Sequence, residues 1–204
     1  MKSRRRVFFG RAIGLGLAVV GVTVLAGLNG CSSSIANRDP LGEAFPSVTG
    51  ASLEKVETRL PESLAGKPAV LLIGYKQKTQ FDIDRWLMGL LQAGIGIGGA
   101  QGIDAHLLEV PTIPGLVPTM ASGWIDDGMR SGIPREDWAS VVTLYGGAAE
   151  PVVEMTGNEN GRLARVVVLD ADGTVVWFDD EGYSARKAMA VADLVASMAE
   201  STTE

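Results

Sequence analysis

The chain has 204 residues with 18 basic and 24 acidic side chains, one histidine and a single cysteine. That inventory rules out an intrachain disulfide and any metal site built on two histidines, and the formal charge of −6 disfavours nucleic acid as a partner. The length suits one domain with a real core.

Residues 1–30 hold five basic side chains (Lys2, Arg4, Arg5, Arg6, Arg11) and no acid, and an apolar stretch runs from Ala12 to Leu28. This is the pattern of a basic n-region and an h-region. The run ends at Leu28-Asn29-Gly30-Cys31, with small residues beside the cysteine and a bulky aliphatic three positions before it. It resembles the lipobox of bacterial lipoproteins. The resemblance implies cleavage between Gly30 and Cys31, a diacylglyceryl group on the Cys31 thiol, and acylation of the new N-terminus. Each buried methylene contributes about 0.8 kcal/mol, so one chain holds reversibly and two or more hold stably. The other reading of Ala12–Leu28 is an uncleaved anchor, close to the roughly 20 residues that span a bilayer. Both readings keep the basic end in the cytoplasm and the rest outside.

Arg5-Arg6-Val7-Phe8-Phe9 resembles the twin-arginine export motif. Basic n-regions also produce arginine pairs by chance, so both export routes stay open. Ser32 follows the cysteine where the lipoprotein inner-membrane retention signal has an aspartate, which favours the outer membrane. Without residues 1–30 the chain keeps 13 basic and 24 acidic side chains, a formal charge of −11 that repels nucleic acid and anionic lipid heads.

Residues 31–50 read as the lipidated cysteine and a polar tether carrying Pro40 and Pro46, and residues 51–204 as the folded domain, expected to be a monomer. Pro68–Gly74 is a short continuous apolar run, the pattern of a strand covered on both faces. Thr79-Gln80-Phe81-Asp82 follows as a capping box opening a helix whose Ile83, Trp86, Leu87, Leu90 and Leu91 share one face. The glycine run Gly94–Gly99 leads to a strand over Ala105–Val110. A helix over about 117–131 is expected to turn Val117, Met120 and Trp124 inward and to pair Asp126 with Arg130. Val141–Tyr145 reads as a strand. Arg165–Leu169 and Thr174–Phe178 form a hairpin through Asp170-Ala171-Asp172-Gly173. Ser184 caps a last helix with Val191, Leu194, Val195 and Met198 inside.

This order resembles the thioredoxin-like superfold, a three-layer α/β arrangement with a central mixed sheet of about four to five strands flanked by helices. Within it, PAVLLIGY, LLEVPTI, WIDDGMRSGIP, VTLYGG and RVVVLDADGTVVWFDDEGYS resemble the assembly factor of mitochondrial ATP synthase and its bacterial relatives, over about residues 65–199. In thioredoxin-like oxidoreductases the resemblance places a Cys-x-x-Cys where the first strand meets its helix, because the helix N-terminus stabilises the thiolate. Here that junction reads Tyr75-Lys76-Gln77-Lys78-Thr79. The proline those enzymes carry before the hairpin is replaced by Arg162-Leu163-Ala164-Arg165. Both departures point away from redox chemistry.

Lys76, Lys78 and Thr79 are the candidate anion- or partner-binding residues, since free N–H groups and the dipole favour negative charge at a helix N-terminus. The other reading is solvated loop charges. The glycine run follows a helix instead of opening one, so it reads as a connector and not a phosphate loop. Asp170–Glu181 lacks the fifth- and sixth-position residues of a calcium loop, and the acidic trio Asp179, Asp180 and Glu181 reads as a solvated cluster. His106 lies in a strand with no partner histidine. No catalytic residue, metal or cofactor is assigned. The functional expectation is a membrane-anchored, periplasm-facing lipoprotein whose non-redox domain is a binding or assembly module for an envelope protein. Two alternatives stand beside it: an enzyme, hydrolytic or peroxide-directed, using the strand–helix junction cleft, and a structural lipoprotein without a small-molecule site.

Overall fold

Seven strands and four helices occur in residues 34–96, 102–117 and 119–201, the residues described by the computed structural model. In chain order they are β1 (Val48–Ser52), β2 (Glu57–Leu60), β3 (Ala69–Gly74), α1 (Gln80–Gln92), β4 (His106–Ile113), α2 (Thr119–Gly132), β5 (Val142–Tyr145), α3 (Glu150–Thr156), β6 (Arg165–Leu169), β7 (Val175–Asp179) and α4 (Ala185–Ser201). The strands form one sheet in the order β2-β1-β5-β4-β3-β6-β7. Parallel β3, β4 and β5 are flanked by antiparallel β6 and β7 on one side and by antiparallel β1 and β2 on the other.

Every side chain from Ala69 to Ile73 is fully buried because β3 feeds two cores at once. Leu71 and Ile73 join Val110, Leu144, Val152, Val153 and Val167 on one face. Val70 and Leu72 join Trp86, Leu90, Val166, Val191 and Val195 on the other. A strand buried on both faces loses the period-2 alternation, which is why Pro68–Gly74 reads as a continuous apolar run. The Trp86 ring meets Trp177 and Tyr183 edge-on, with centroids 5.9 and 5.6 Å away. The expected cap of the last helix is present: Lys187 N–H donates to Ser184 Oγ at 3.2 Å. The hairpin turn is also as expected, with Asp170 Oδ1 accepting from the N–H groups of Asp172 and Thr174 and Gly173 at a φ of 85°.

The sheet has seven strands against the expected four to five. Of the two additions, β1 buries only its two ends and β2 only its last residue, and Gly50 in β1 lies so close to β5 that a Cβ there would sit 2.7 Å from Thr143 O. Such a strand is built from small residues and shows no apolar period. The segment expected to be a tether up to residue 50 lies on the body from Ile35 onward. Phe45 and Val48 are buried, Gly42 N–H donates to Val175 O at 2.8 Å, and Ala44 bridges Thr174.

The α2 helix departs further from expectation. Met120 and Trp124, expected inside, are each 80 % exposed, and none of its side chains is buried among the described residues. Its polar side is the one held to the body: Tyr145 OH donates to Asp126 Oδ1 at 2.7 Å, and Arg130 Nε donates to Leu53 O at 2.7 Å. Arg130 pairs with Asp127 at 2.8 Å, not with Asp126. The expected ion pair is absent because the Asp126 carboxylate is engaged by the tyrosine.

Candidate functional site

The parallel strands β3, β4 and β5 end together, and the chain segments that leave or enter the sheet there form the candidate site. After β3, Tyr75 is buried and a 3-10 turn, Gln77–Thr79, runs straight into α1. Thr79 is therefore already helical, with φ −65° and ψ −25°, and it makes no side-chain cap bond to the helix. The expected capping box does not form. The Thr79 hydroxyl donates to Gly161 O at 2.7 Å and accepts from Lys76 N–H at 3.2 Å. Asp82, its expected partner, is buried and accepts from Ala164 N–H and Tyr183 N–H, both at 3.1 Å, and from Arg85. Both residues thus tie the helix start to the loop before β6 and to the approach to α4.

The three candidate residues separate in role. Thr79 is fully buried and committed to Gly161. Lys76 lays its methylenes over Gly161, where a Cβ would come 3.0 Å from its Cε, and its residue remains exposed. Lys78 is exposed. No ion pair to either lysine occurs among the described residues, so two cations stand at this end of the sheet. Gly30 and Cys31 lie outside the described residues, as do Ile97–Gly99 of the glycine run. His106 begins β4 opposite Ala69, at the far end of the sheet from Lys76. Burial and the Lys67 charge lower its pKa. Among the described residues no cluster of three or more His, Cys, Asp or Glu is arranged to hold a metal ion.

Sequence reasoning missed the centre of this end, Arg165. It opens β6 with its residue fully buried, and its Nη1 donates to Asn160 O and Leu163 O at 3.0 and 3.1 Å. Its Nη2 donates to Asn37 Oδ1 at 2.6 Å, and the guanidinium carbon stands 5.7 Å from the centroid of the Tyr75 ring. Tyr75 OH shares a 2.6 Å hydrogen bond with Thr156 Oγ1 and donates to Val152 O at 3.2 Å. Burial pushes the phenol up to about 12. Asn37 also donates from Nδ2 to Asp180 at 2.8 Å. The signal in the sequence was a lone arginine at the head of an otherwise apolar strand.

Beside β4 lies a second concave region, a pocket of about 200 Å³ walled by Leu87, Leu107, Ile133 and Val141. Glu109 reaches into it with Oε1 inaccessible and without a hydrogen-bond partner. Burial, helped by the Asp84 charge, raises this carboxyl to about 7. A third hollow, lined by Phe45, Pro61, Leu64 and Asp172, sits by the hairpin turn at the opposite end of the sheet.

No protein-family model matches this chain, and no curated protein matches it in sequence. Solved structures do match. A protein assigned as a disulfide isomerase from Bacteroides thetaiotaomicron superposes with a TM-score of 0.56 at 15% identity, over 82% of this chain and 94% of that one. The pneumococcal exposed lipoprotein thioredoxin of Streptococcus pneumoniae strain TIGR4 gives 0.51 at 11% identity, over 73% and 99%. A member of the Sco family of cytochrome c oxidase assembly proteins gives 0.51 at 10% identity, over 79% and 98%. With the strand order and the helices on both faces, these matches establish that the chain has a thioredoxin-like α/β fold, a mixed sheet flanked by helices.

Proposed function

We propose that this protein is a lipoprotein anchored through acylated Cys31, facing the periplasm, whose thioredoxin-like domain binds or assembles an envelope protein without thiol chemistry. The observation that carries the reading is the β3–α1 junction. Where the resemblance places a Cys-x-x-Cys, the junction reads Tyr75-Lys76-Gln77-Lys78-Thr79 without a thiol, Thr79 is locked onto Gly161, and the only cysteine lies 45 positions earlier than Lys76. What remains outward is a cationic face of Lys76 and Lys78, suited to carbonyl and carboxylate groups of a partner. The occurrence of this fold in an exposed lipoprotein and in an assembly-protein family supports the compartment and the role. So does the resemblance to the ATP synthase assembly factor. Ser32 favours the outer membrane.

The test places a photo-crosslinking residue at position 76 or 78 of the full chain in intact cells, with a third at Glu200 on the exposed end of α4 as control. One discrete envelope protein captured from 76 and 78 but not from 200 supports the reading. Equal capture from all three positions overturns it. So does catalytic turnover by the purified protein that Lys76→Ala or Lys78→Ala abolishes, which would make the face an active site.

A further inference from the structure

The α2 helix is amphipathic in the inverted sense. Asp126 and Arg130 point to the body, where Tyr145 and the Leu53 carbonyl hold them. Met120, Trp124 and Ile125 point to solvent, and Leu116 just before the helix is fully exposed. In a helix of a soluble domain the apolar stripe is the one that packs inward. An outward Trp–Met–Leu stripe of this kind marks a surface that something apolar covers.

The chain path indicates what covers it. Ile35 N–H donates to Asn158 Oδ1 at 2.9 Å, Ile35 O accepts from the N–H groups of Asn158 and Glu159, and Ala36 lies against Gly157. Gly157 has a φ of 69°, and a Cβ there would sit 2.2 Å from Ala36 O, so the docking is built into the backbone. The chain is therefore fixed to the domain from Ile35. Three serines separate it from Cys31, and the four steps reach at most about 14 Å at 3.3–3.6 Å each. The docking point lies beside Arg165, which pairs with Ile73 near the end of β3. The same end of the sheet carries the close of β5, where Gly146 approaches Gly115 and Tyr145 contacts α2. The end of the fold that carries Leu116, Met120 and Trp124 is thus the end held near the bilayer.

We propose that the outward face of α2, with Leu116, Met120 and Trp124 as its anchors, docks on the lipid bilayer. The charged side chain on this face, the exposed Asp127, is paired with Arg130 at 2.8 Å, so the face presents no unpaired charge to a zwitterionic surface. Tryptophan and long apolar side chains are the residues that settle at the headgroup boundary. The inference rests on attachment of the chain to the membrane at or just before Cys31.

The test uses the full lipidated chain purified from membranes and reconstituted in phosphatidylcholine vesicles, with and without brominated acyl chains, which quench tryptophan on contact. Flotation and mass spectrometry of the N-terminal peptide report the anchor separately. The expected result is partial quenching in wild type, lost in Trp124→Phe and in Leu116→Asp/Met120→Asp, with flotation unchanged in all three. All three substituted sites are exposed, and circular dichroism confirms that each variant is folded. A floating, lipidated wild type whose emission is unquenched overturns the docking and leaves the anchor standing. Crosslinking between α2 faces of two copies, with no quenching, overturns it in favour of a dimer. An unmodified Cys31 in a chain that does not float overturns the anchor itself, and the docking with it.

Discussion

Asn37 Oδ1 lies 2.6 Å from Arg165 Nη2, so a residue just after the chain enters the domain holds the one arginine buried at the head of β6. The same side chain donates to Asp180 and accepts from Glu159 N–H. Removing a neutral acceptor from a buried cation costs about 1–3 kcal/mol, because Nη2 loses its acceptor while Nη1 keeps the Asn160 and Leu163 carbonyls. Asn37→Ala should lower the urea midpoint accordingly and should speed hydrogen exchange at Asn158 and Glu159, whose N–H groups are tied to the entering segment. Unchanged stability with unchanged exchange would mean that the segment is held by Ile35 alone.

Glu109 gives the stability curve a defined slope. Its carboxyl is raised from an ordinary value near 4.5 to about 7 in the folded state. Between those values the folded protein holds a proton that the unfolded chain has released, so stability falls as pH rises through the window and levels off above it. The full difference is roughly 3 kcal/mol at 1.36 kcal/mol per pKa unit. Glu109→Gln mimics the protonated acid and should remove the decline, leaving the variant more stable than wild type at pH 8 and similar at pH 4.5. Urea melts at several pH values decide it, and parallel curves for the two proteins would show that the pocket is wet enough to solvate the carboxylate.

The elements legible in the sequence were those whose burial imposes a period. The doubly covered run of β3, the stripe of Ile83, Trp86 and Leu90 on α1, the hairpin around Asp170–Gly173 and the Ser184 cap are local signals, and each element sits where expected. The outer strands β1 and β2, at the β2 edge of the sheet, carry no such period. The seven-residue α3, entered through Gly146-Gly147-Ala148, is too short to show one, although Val152 and Val153 are buried on it. The capping box at Thr79 failed for a different reason: the preceding 3-10 turn supplied the helix start, freeing both polar side chains for tertiary bonds. The α2 face was misassigned because periodicity reports that a stripe exists and not which way it turns.

The packing of Phe45 and Val48 moves the domain boundary. Cutting the chain at Ala51 removes both side chains and three of the five residues of β1, and with them the Val48–Gly50 pairing to β2. At about 1.5–3 kcal/mol per buried apolar side chain, that loss is a large share of a domain's net stability. A fragment of residues 34–204 should unfold cooperatively, whereas residues 51–204 should be less stable by several kcal/mol and prone to aggregate. Coincident urea transitions for the two fragments would restore the shorter boundary. The longer fragment should also show no insulin reduction above buffer, since it contains no cysteine.

Membrane attachment of this chain turns on Cys31. If its thiol carries the diacylglyceryl group, Cys31→Ser removes the only thiol on which that group can be placed, because a serine hydroxyl is a far weaker nucleophile than a thiolate. Lipid addition precedes cleavage in lipoprotein maturation, so the variant should retain residues 1–30, migrate more slowly on a gel and fail to incorporate labelled palmitate. Wild type should yield an N-terminal peptide that begins at Cys31 and carries the acyl mass. The strands and helices described all lie after residue 34, so far-ultraviolet circular dichroism and the urea midpoint of the detergent-extracted variant should match wild type. That separates loss of lipid from loss of fold. A wild-type peptide in which an unmodified Cys31 is still joined to Gly30 would show that Ala12–Leu28 stays in place as a plain membrane anchor.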